Sequence, residues 1–104
     1  MEWKPLNRPE QLDEIITLSH QSPQYIFKHS TRCSISTVAK NRLEKGVSGK
    51  EIVYYLDLLS YRALSNEIAD KWNVTHQSPQ LLKIEKGVCT YHASHMDIDV
   101  NLFN

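Results

Sequence analysis

At 104 residues the chain has the commonest length for one domain, long enough to bury a core without disulfide or metal staples. Twelve basic and twelve acidic residues cancel to a formal net charge of zero, so no long-range field steers the protein onto nucleic acid or an anionic membrane surface. No apolar run approaches the roughly 18 residues of a membrane span, and Met1 to Leu6 lack the apolar core of a secretory signal, so a reducing cytoplasm is expected, in which the two cysteines are free thiols.

No repeat, low-complexity tract or Gly/Ser linker interrupts the sequence, and residues 1–104 are expected to form one packed unit. Asn7 and Glu10 have capping-box spacing, and Leu12, Ile15, Ile16 and Ser19 recur at helical spacing, which predicts a first helix over residues 9–19. Ser22-Pro23 ends it. Tyr25-Ile26-Phe27 reads as a buried strand continuing to about His29. After Ser30-Thr31-Arg32-Cys33 the period changes. Ile35, Val38, Ala39 and Leu43 share one helical face, with Lys40, Arg42, Glu44 and Lys45 mostly turned to solvent, in a helix from Ser34 to near Gly46. The nearly unbroken apolar run Ile52-Val53-Tyr54-Tyr55-Leu56 suits a strand buried on both faces of a parallel sheet. Leu64, Ile68 and Trp72 mark a helix with Ser60 as its N-cap. Asn73 to Ser78 form a loop, and after Pro79 the runs 81–85 and 88–92 flank Lys86-Gly87, a hairpin signal. At the end, Ile98, Val100 and Leu102 alternate like a strand while Ser94 and Asp97 fit a capping box; a short final helix is the expectation. Two strand-helix-strand crossovers and a closing hairpin predict an α/β fold: a four-stranded mixed sheet with helices on both faces.

A strand running into a cysteine at a helix N-terminus, followed later by a proline that opens a strand before a hairpin, resembles the thioredoxin fold. The segments Phe27-Lys28-His29-Ser30-Thr31-Arg32-Cys33-Ser34-Ile35-Ser36, Val74-Thr75-His76-Gln77-Ser78-Pro79-Gln80 and His92-Ala93-Ser94-His95 are similar to the YtxJ-type monothiol bacilliredoxins of the bacillithiol system, and the resemblance covers nearly the whole chain. The usual cysteine motif of that family is Thr-Cys-Pro-Ile-Ser; here Arg32 stands between Thr31 and Cys33, and Ser34 replaces the proline, with the cysteine and second serine in register. The resemblance implies a thiol-disulfide oxidoreductase that takes bacillithiol, or a similar small thiol, from mixed disulfides on cytoplasmic proteins. Cys33 is the implied nucleophile, Pro79 is implied to be cis, and no bound cofactor is implied.

The residues suit that chemistry. A free cysteine of pKa about 8.5 is only about 3% thiolate at neutral pH. At the first turn of a helix Cys33 would face unpaired N–H groups and the positive end of the macrodipole, with the Arg32 cation beside it. Ser36 makes the motif C-x-x-S, and its hydroxyl can donate to the thiolate. With no resolving thiol in the motif, Cys33 carries the small thiol until an external thiol or a partner redoxin releases it. Thr31, Arg32, Ser78 and Pro79 are expected to shape the substrate site, Ser78 by pairing its backbone with an extended substrate segment. An imidazolium at His29 would also lower the thiol pKa.

Cys89 is expected opposite Ile84, about 16 Å along the strand from the active-site end, whereas a disulfide needs Cα atoms within about 7 Å. It therefore reads as a half-buried strand cysteine. Strand alternation sends Cys89 and His92 to opposite faces, which argues against a metal shared with His95. Trp72, Tyr54 and Phe27 read as core. The alternative from another class is a non-catalytic thioredoxin-fold module that holds a peptide at the Ser78-Pro79 edge. A single-cysteine arsenate-reductase-like relative finds no support, because the chain offers no basic cluster beyond Arg32 for an oxyanion.

Overall fold

The computed structural model describes residues 2–46 and 51–103. Ten elements follow in chain order: β1 (Glu2–Pro5), α1 (Glu10–Ser19), β2 (Gln24–His29), α2 (Ser34–Gly46), β3 (Ile52–Asp57), α3 (Arg62–Trp72), β4 (Gln80–Glu85), β5 (Val88–Ser94) and two 3₁₀ turns, His95–Asp97 and Val100–Phe103. The sheet has five strands in the order β1-β3-β2-β4-β5, not the four expected. β1, β3 and β2 run parallel, and β4 and β5 are antiparallel to their neighbours. No helix among the described residues is long and apolar enough to cross a membrane.

The extra strand is β1. Glu2-Trp3-Lys4-Pro5 carries two charges and a proline, which disguise a strand, but at a sheet edge such residues are tolerated. Trp3 holds it down: its ring lies 5.5 Å from Phe27 and 5.8 Å from Tyr55, and its Nε1 donates to Glu44 Oε2 at 2.8 Å.

Three expected caps are replaced by other devices. At α1 the Asn7 capping box is absent; Gln11, buried at the helix start, accepts from the N–H groups of Asn7 and Arg8 (2.8 and 3.0 Å) and donates to the Pro5 carbonyl at 2.9 Å. At α3 the cap position is Tyr61, and Ser60 instead donates to Asp57 Oδ2 at 3.0 Å, closing the turn after β3. At the C-terminus Ser94 makes no side-chain cap, and two short 3₁₀ turns replace the expected helix; the side chains at 100 and 102 lie outside the described residues. The hairpin is as expected, with Lys86 and Gly87 at φ 51° and 82°, the backbone signs of a tight two-residue connection.

Two cores sandwich the sheet. On one face Leu12 and Ile15 of α1 and Leu64 and Ile68 of α3 pack over Ile26 and Leu82. On the other, Ala39 and Leu43 of α2 pack over Phe27, Val53 and Leu81. Phe27 and Tyr54 are fully buried and Trp72 is packed against the first core, as read from sequence. The inward stripe of α2 differs from expectation: Ser36, Ala39 and Leu43 point in, while Ile35 and Val38 are 44% and 49% exposed.

Candidate active site

Alternation along β2 sends Phe27 and His29 toward α2 and Ile26 and Lys28 toward α3. The chain then leaves the sheet at Ser30 and turns back through Thr31 and Arg32. Cys33 N–H closes that turn on the Ser30 carbonyl at 3.1 Å, and the Cys33 carbonyl accepts from Thr37 N–H at 3.2 Å. The cysteine is therefore the residue from which α2 begins, and its side chain is half-exposed.

This position lowers the Cys33 pKa. The Ser36 N–H contributes most, the Ile35 N–H and the Ser36 hydroxyl assist, and partial burial opposes them. All three helpers are uncharged donors of the first helical turn; the Arg32 guanidinium is not among them, and Thr31 and Arg32 both lie exposed in the turn. Ser36 is fully buried, and its Oγ accepts from Ser30 N–H at 3.3 Å, which leaves its own hydrogen for the sulfur. One side chain thus ties the turn shut and solvates the thiolate.

His29 lies beneath this turn, buried between the rings of Phe27 (5.7 Å) and Tyr55 (5.4 Å). Burial, with help from the Lys40 charge, pushes its pKa down against the opposing pull of the Asp57 carboxylate and the Ser36 backbone, and Nδ1 is buried without a hydrogen-bond partner among the described residues. The lowered pKa keeps the ring neutral at pH 7, so it supplies no imidazolium charge to Cys33.

Ser78-Pro79 is a cis peptide bond. Because Gln80 pairs with Lys28 in the antiparallel β2–β4 ladder, this bond lies just beyond the end of β2, at the Cys33 end of the sheet. Pro79 C=O accepts from His95 N–H at 3.0 Å, and Ser78 Oγ is buried without a partner. Cys33, Ser36, Thr31 and Arg32 thus share one turn, with Ser78 and Pro79 at the same end of the sheet.

Cys89 is at the other end, opposite Ile84 as expected, half-buried, with its thiol pushed up by burial and its Sγ 3.4 Å from the Tyr91 carbonyl. A register shift opposite Lys83/Ile84 corrects one expectation: the extra residue in β5 breaks the alternation, so Cys89 and His92 pair with Ile84 and Leu82 and lie on the same face. Among the described residues, no group of three His, Cys, Asp or Glu is placed to hold a metal ion.

Sequence reasoning missed two features of this end of the molecule. Ile35 and Val38, assigned to the core, are exposed apolar side chains on the N-terminal half of α2; the signal was Ser36, which takes the inward position they would have needed. Lys28, inside an otherwise apolar strand, is fully buried, and its Nζ reaches the Ser65 carbonyl (3.2 Å) and His76 Nδ1 (3.3 Å). A lysine between Phe27 and His29 in a buried strand was the available clue.

The model of the family described as "Monothiol bacilliredoxin BrxC" matches residues 4–102. A solved structure described as having a thioredoxin fold is similar at 30% identity over 97% of this chain and 89% of that one, with a TM-score of 0.84. The fold alone is shared with a thioredoxin variant from Halobacterium salinarum (15% identity, 98% and 86% covered, TM-score 0.70) and with the Malassezia sympodialis thioredoxin (13% identity, 93% and 81% covered, TM-score 0.71).

Proposed function

The chain belongs to the monothiol bacilliredoxin family, and from that premise we propose that it removes bacillithiol, or a similar small thiol, from mixed disulfides on cytoplasmic proteins. The observation that carries the reading is the Cys33 thiol, lowered in pKa by the N–H groups and hydroxyl of the first turn of α2, with Ser36 where a resolving thiol would stand. The Cys33 thiolate attacks the bacillithiol sulfur of the mixed disulfide. The new bond is Cys33–S–S–bacillithiol, and the protein substrate leaves as its thiolate and takes up a proton. A second small thiol or a partner redoxin then attacks this bond, releasing Cys33 as thiolate and forming the next disulfide. No metal or bound cofactor enters either exchange. Thr31 and Arg32 border the sulfur, Ser78 and Pro79 receive the extended substrate backbone, and the exposed Ile35 and Val38 of α2 meet the protein substrate.

The non-catalytic binding module needs no thiol of lowered pKa, and that lowering favours catalysis. The test is intact-mass analysis of Cys89→Ser and Cys33→Ser proteins after mixing each with a bacillithiolated model protein, with a glutathionylated one as control. Transfer of bacillithiol to the Cys89→Ser protein and not to Cys33→Ser is the expected result. Absence of any small-thiol adduct on Cys33 would return the binding module; equal transfer of both thiols would remove the preference for bacillithiol.

A further inference from the structure

Lys28 is the only lysine, arginine, aspartate or glutamate among the described residues that is buried, at 0% exposure. Such burial is expensive unless the charge is put to use or neutralised by a partner. Lys28 forms no ion pair with the described carboxylates. Its Nζ instead donates to the Ser65 carbonyl of α3 (3.2 Å) and to His76 Nδ1 (3.3 Å), and Ser65 Oγ reaches the same Nδ1 at 3.2 Å. A charged Lys28 can only donate, so Nδ1 is the acceptor and the imidazole is the neutral form protonated at Nε2. Burial, the Lys28 charge and Arg62 all hold the His76 pKa down, in keeping with that form.

The cluster is placed where it controls a loop. His76 lies between Asn73, the left-handed residue that ends α3, and the cis Ser78-Pro79 bond. One residue earlier, the Thr75 carbonyl accepts from Gln80 Nε2 at 3.1 Å, and Gln80 stands opposite Lys28 in the β2–β4 ladder. The loop is thus held from inside at two consecutive residues, by buried side chains of two paired strands. On the face of the sheet that Lys28 shares, α3 contributes the Arg62 charge that acts on His76, β3 the phenol of Tyr54, β1 the Lys4 ammonium 5.3 Å from that ring, and α1 the apolar Leu12 and Ile15.

We propose that Lys28 is a positioning residue of the exchange reaction: its ammonium, on the face of the sheet remote from α2, fixes His76 and through it the Ser78-Pro79 segment in the form that receives the backbone of a protein mixed disulfide. This rests on the reading of Ser78-Pro79 as the substrate-receiving segment. The charge makes the bond to Nδ1 a charge-assisted one, roughly twice as strong as its neutral counterpart. Burial lowers the Lys28 pKa to about 8, so above that pH the hold on His76 weakens while the thiolate of Cys33 persists.

The test measures KM and kcat for removal of bacillithiol from a bacillithiolated model protein between pH 6.5 and 9.5, beside the rate of Cys33 alkylation by iodoacetamide, a probe with no backbone to bind. For the unmodified chain, KM is expected to rise about threefold to tenfold through pH 8, with alkylation following only the thiol. In Lys28→Met KM is raised at every pH and the rise through pH 8 is gone. His76→Ala, at a half-exposed position that tolerates truncation, cuts the same link from the loop side, so there too KM is raised at every pH and the rise through pH 8 is gone. A Lys28→Met protein with unaltered KM and an intact rise overturns the proposal; so do parallel changes in kcat and alkylation, which would put Lys28 on the thiol instead of the loop. Amide NMR of Ser78 and Gln80 separates this from failure of the proposed function. A midpoint near pH 8 that Lys28→Met abolishes supports the positioning role even where no bacillithiol moves, and amides that do not titrate there overturn it.

Discussion

Replacing Lys28 by methionine is expected to leave stability nearly unchanged at neutral pH and to lower it, relative to the unmodified chain, as pH rises. Burial lowers the lysine pKa from 10.5 to about 8, which corresponds to about 3 kcal/mol by which the fold disfavours the ammonium relative to water. Methionine fills nearly the same volume without that penalty. It forfeits the ammonium's hydrogen bonds to the Ser65 carbonyl and His76 Nδ1, charge-assisted and worth about 1.5 kcal/mol each or more, although Nδ1 keeps its contact with Ser65 Oγ. The two terms nearly cancel, and the net change expected at pH 7 is about zero. The pH dependence gives the sharper check. Below pH 8 both folded and unfolded chains carry the Lys28 proton and the penalty is complete. Between about 8 and 10.5 the folded chain has released the proton and the unfolded chain has not, so the stability of the unmodified chain rises relative to Lys28→Met. Urea denaturation of both proteins with reductant, followed by the fluorescence of Trp3 and Trp72 from pH 7 to 10, should show near-equal stability at pH 7 and Lys28→Met falling progressively behind above pH 8. A methionine variant less stable at pH 7, with a gap that pH does not change, would refute the claim that a buried ammonium stands at this position.

The remaining predictions concern the thiol and the hairpin. Ser36→Ala removes the hydroxyl that assists the thiolate and leaves Ser30 N–H without its acceptor; alkylation of Cys33 at pH 7 should slow about threefold to tenfold, and an unchanged rate would show that the backbone donors suffice. In the unmodified chain, iodoacetamide at neutral pH should label Cys33 well before Cys89, since the first turn of α2 lowers one thiol and burial raises the other; peptide mapping after a short pulse reads the order. Ser19→Ala breaks a tie between α1 and the hairpin, where Ser19 Oγ accepts from Gly87 N–H at 2.8 Å and donates to the Ile16 carbonyl at 2.6 Å. Leaving Gly87 N–H without its partner should lower stability by about 1–2 kcal/mol in chemical denaturation. Gly87→Ala should lower it by a similar amount, about 1–2 kcal/mol, because φ is 82° there; the added Cβ itself would meet nothing closer than 3.7 Å.

What was legible in the sequence is what periodicity and local chemistry encode. The strand before Cys33, the helix after it, the apolar β3 and the Lys86-Gly87 hairpin announce themselves through side-chain pattern, and their order constrains the topology. The edge strand β1 does not, because an edge needs no apolar alternation and its side-chain anchors are long-range, Trp3 to Glu44 and Lys4 to the Tyr54 ring. Caps were misread for a related reason. Asn7, Ser60 and Ser94 are good cap residues by type, but Gln11 reaches back across the α1 start and Asp57 claims Ser60, choices that depend on three-dimensional neighbours. Within the site, Cys33, Ser36 and Pro79 were visible from spacing and family resemblance. The charge state of His29 was not, since it follows from burial between Phe27 and Tyr55, residues of two different strands.

The two titrating centres of this end of the molecule are kept apart by β2 itself. Phe27 and His29 face α2, whose first turn lowers Cys33; Lys28, between them in sequence, faces α3 and holds His76. No charge from the Lys28 cluster contributes to the Cys33 shift, and none from the thiol's turn contributes to that of Lys28. Reactivity and substrate positioning can therefore respond to pH independently. For a protein mixed disulfide, kcat/KM should rise with pH as the thiolate forms and fall again above about 8 as Lys28 loses its proton. A small disulfide that makes no backbone contact should show only the rising limb. A falling limb shared by both substrates would mean that the thiol and the loop are one coupled system, and that the sheet does not insulate them.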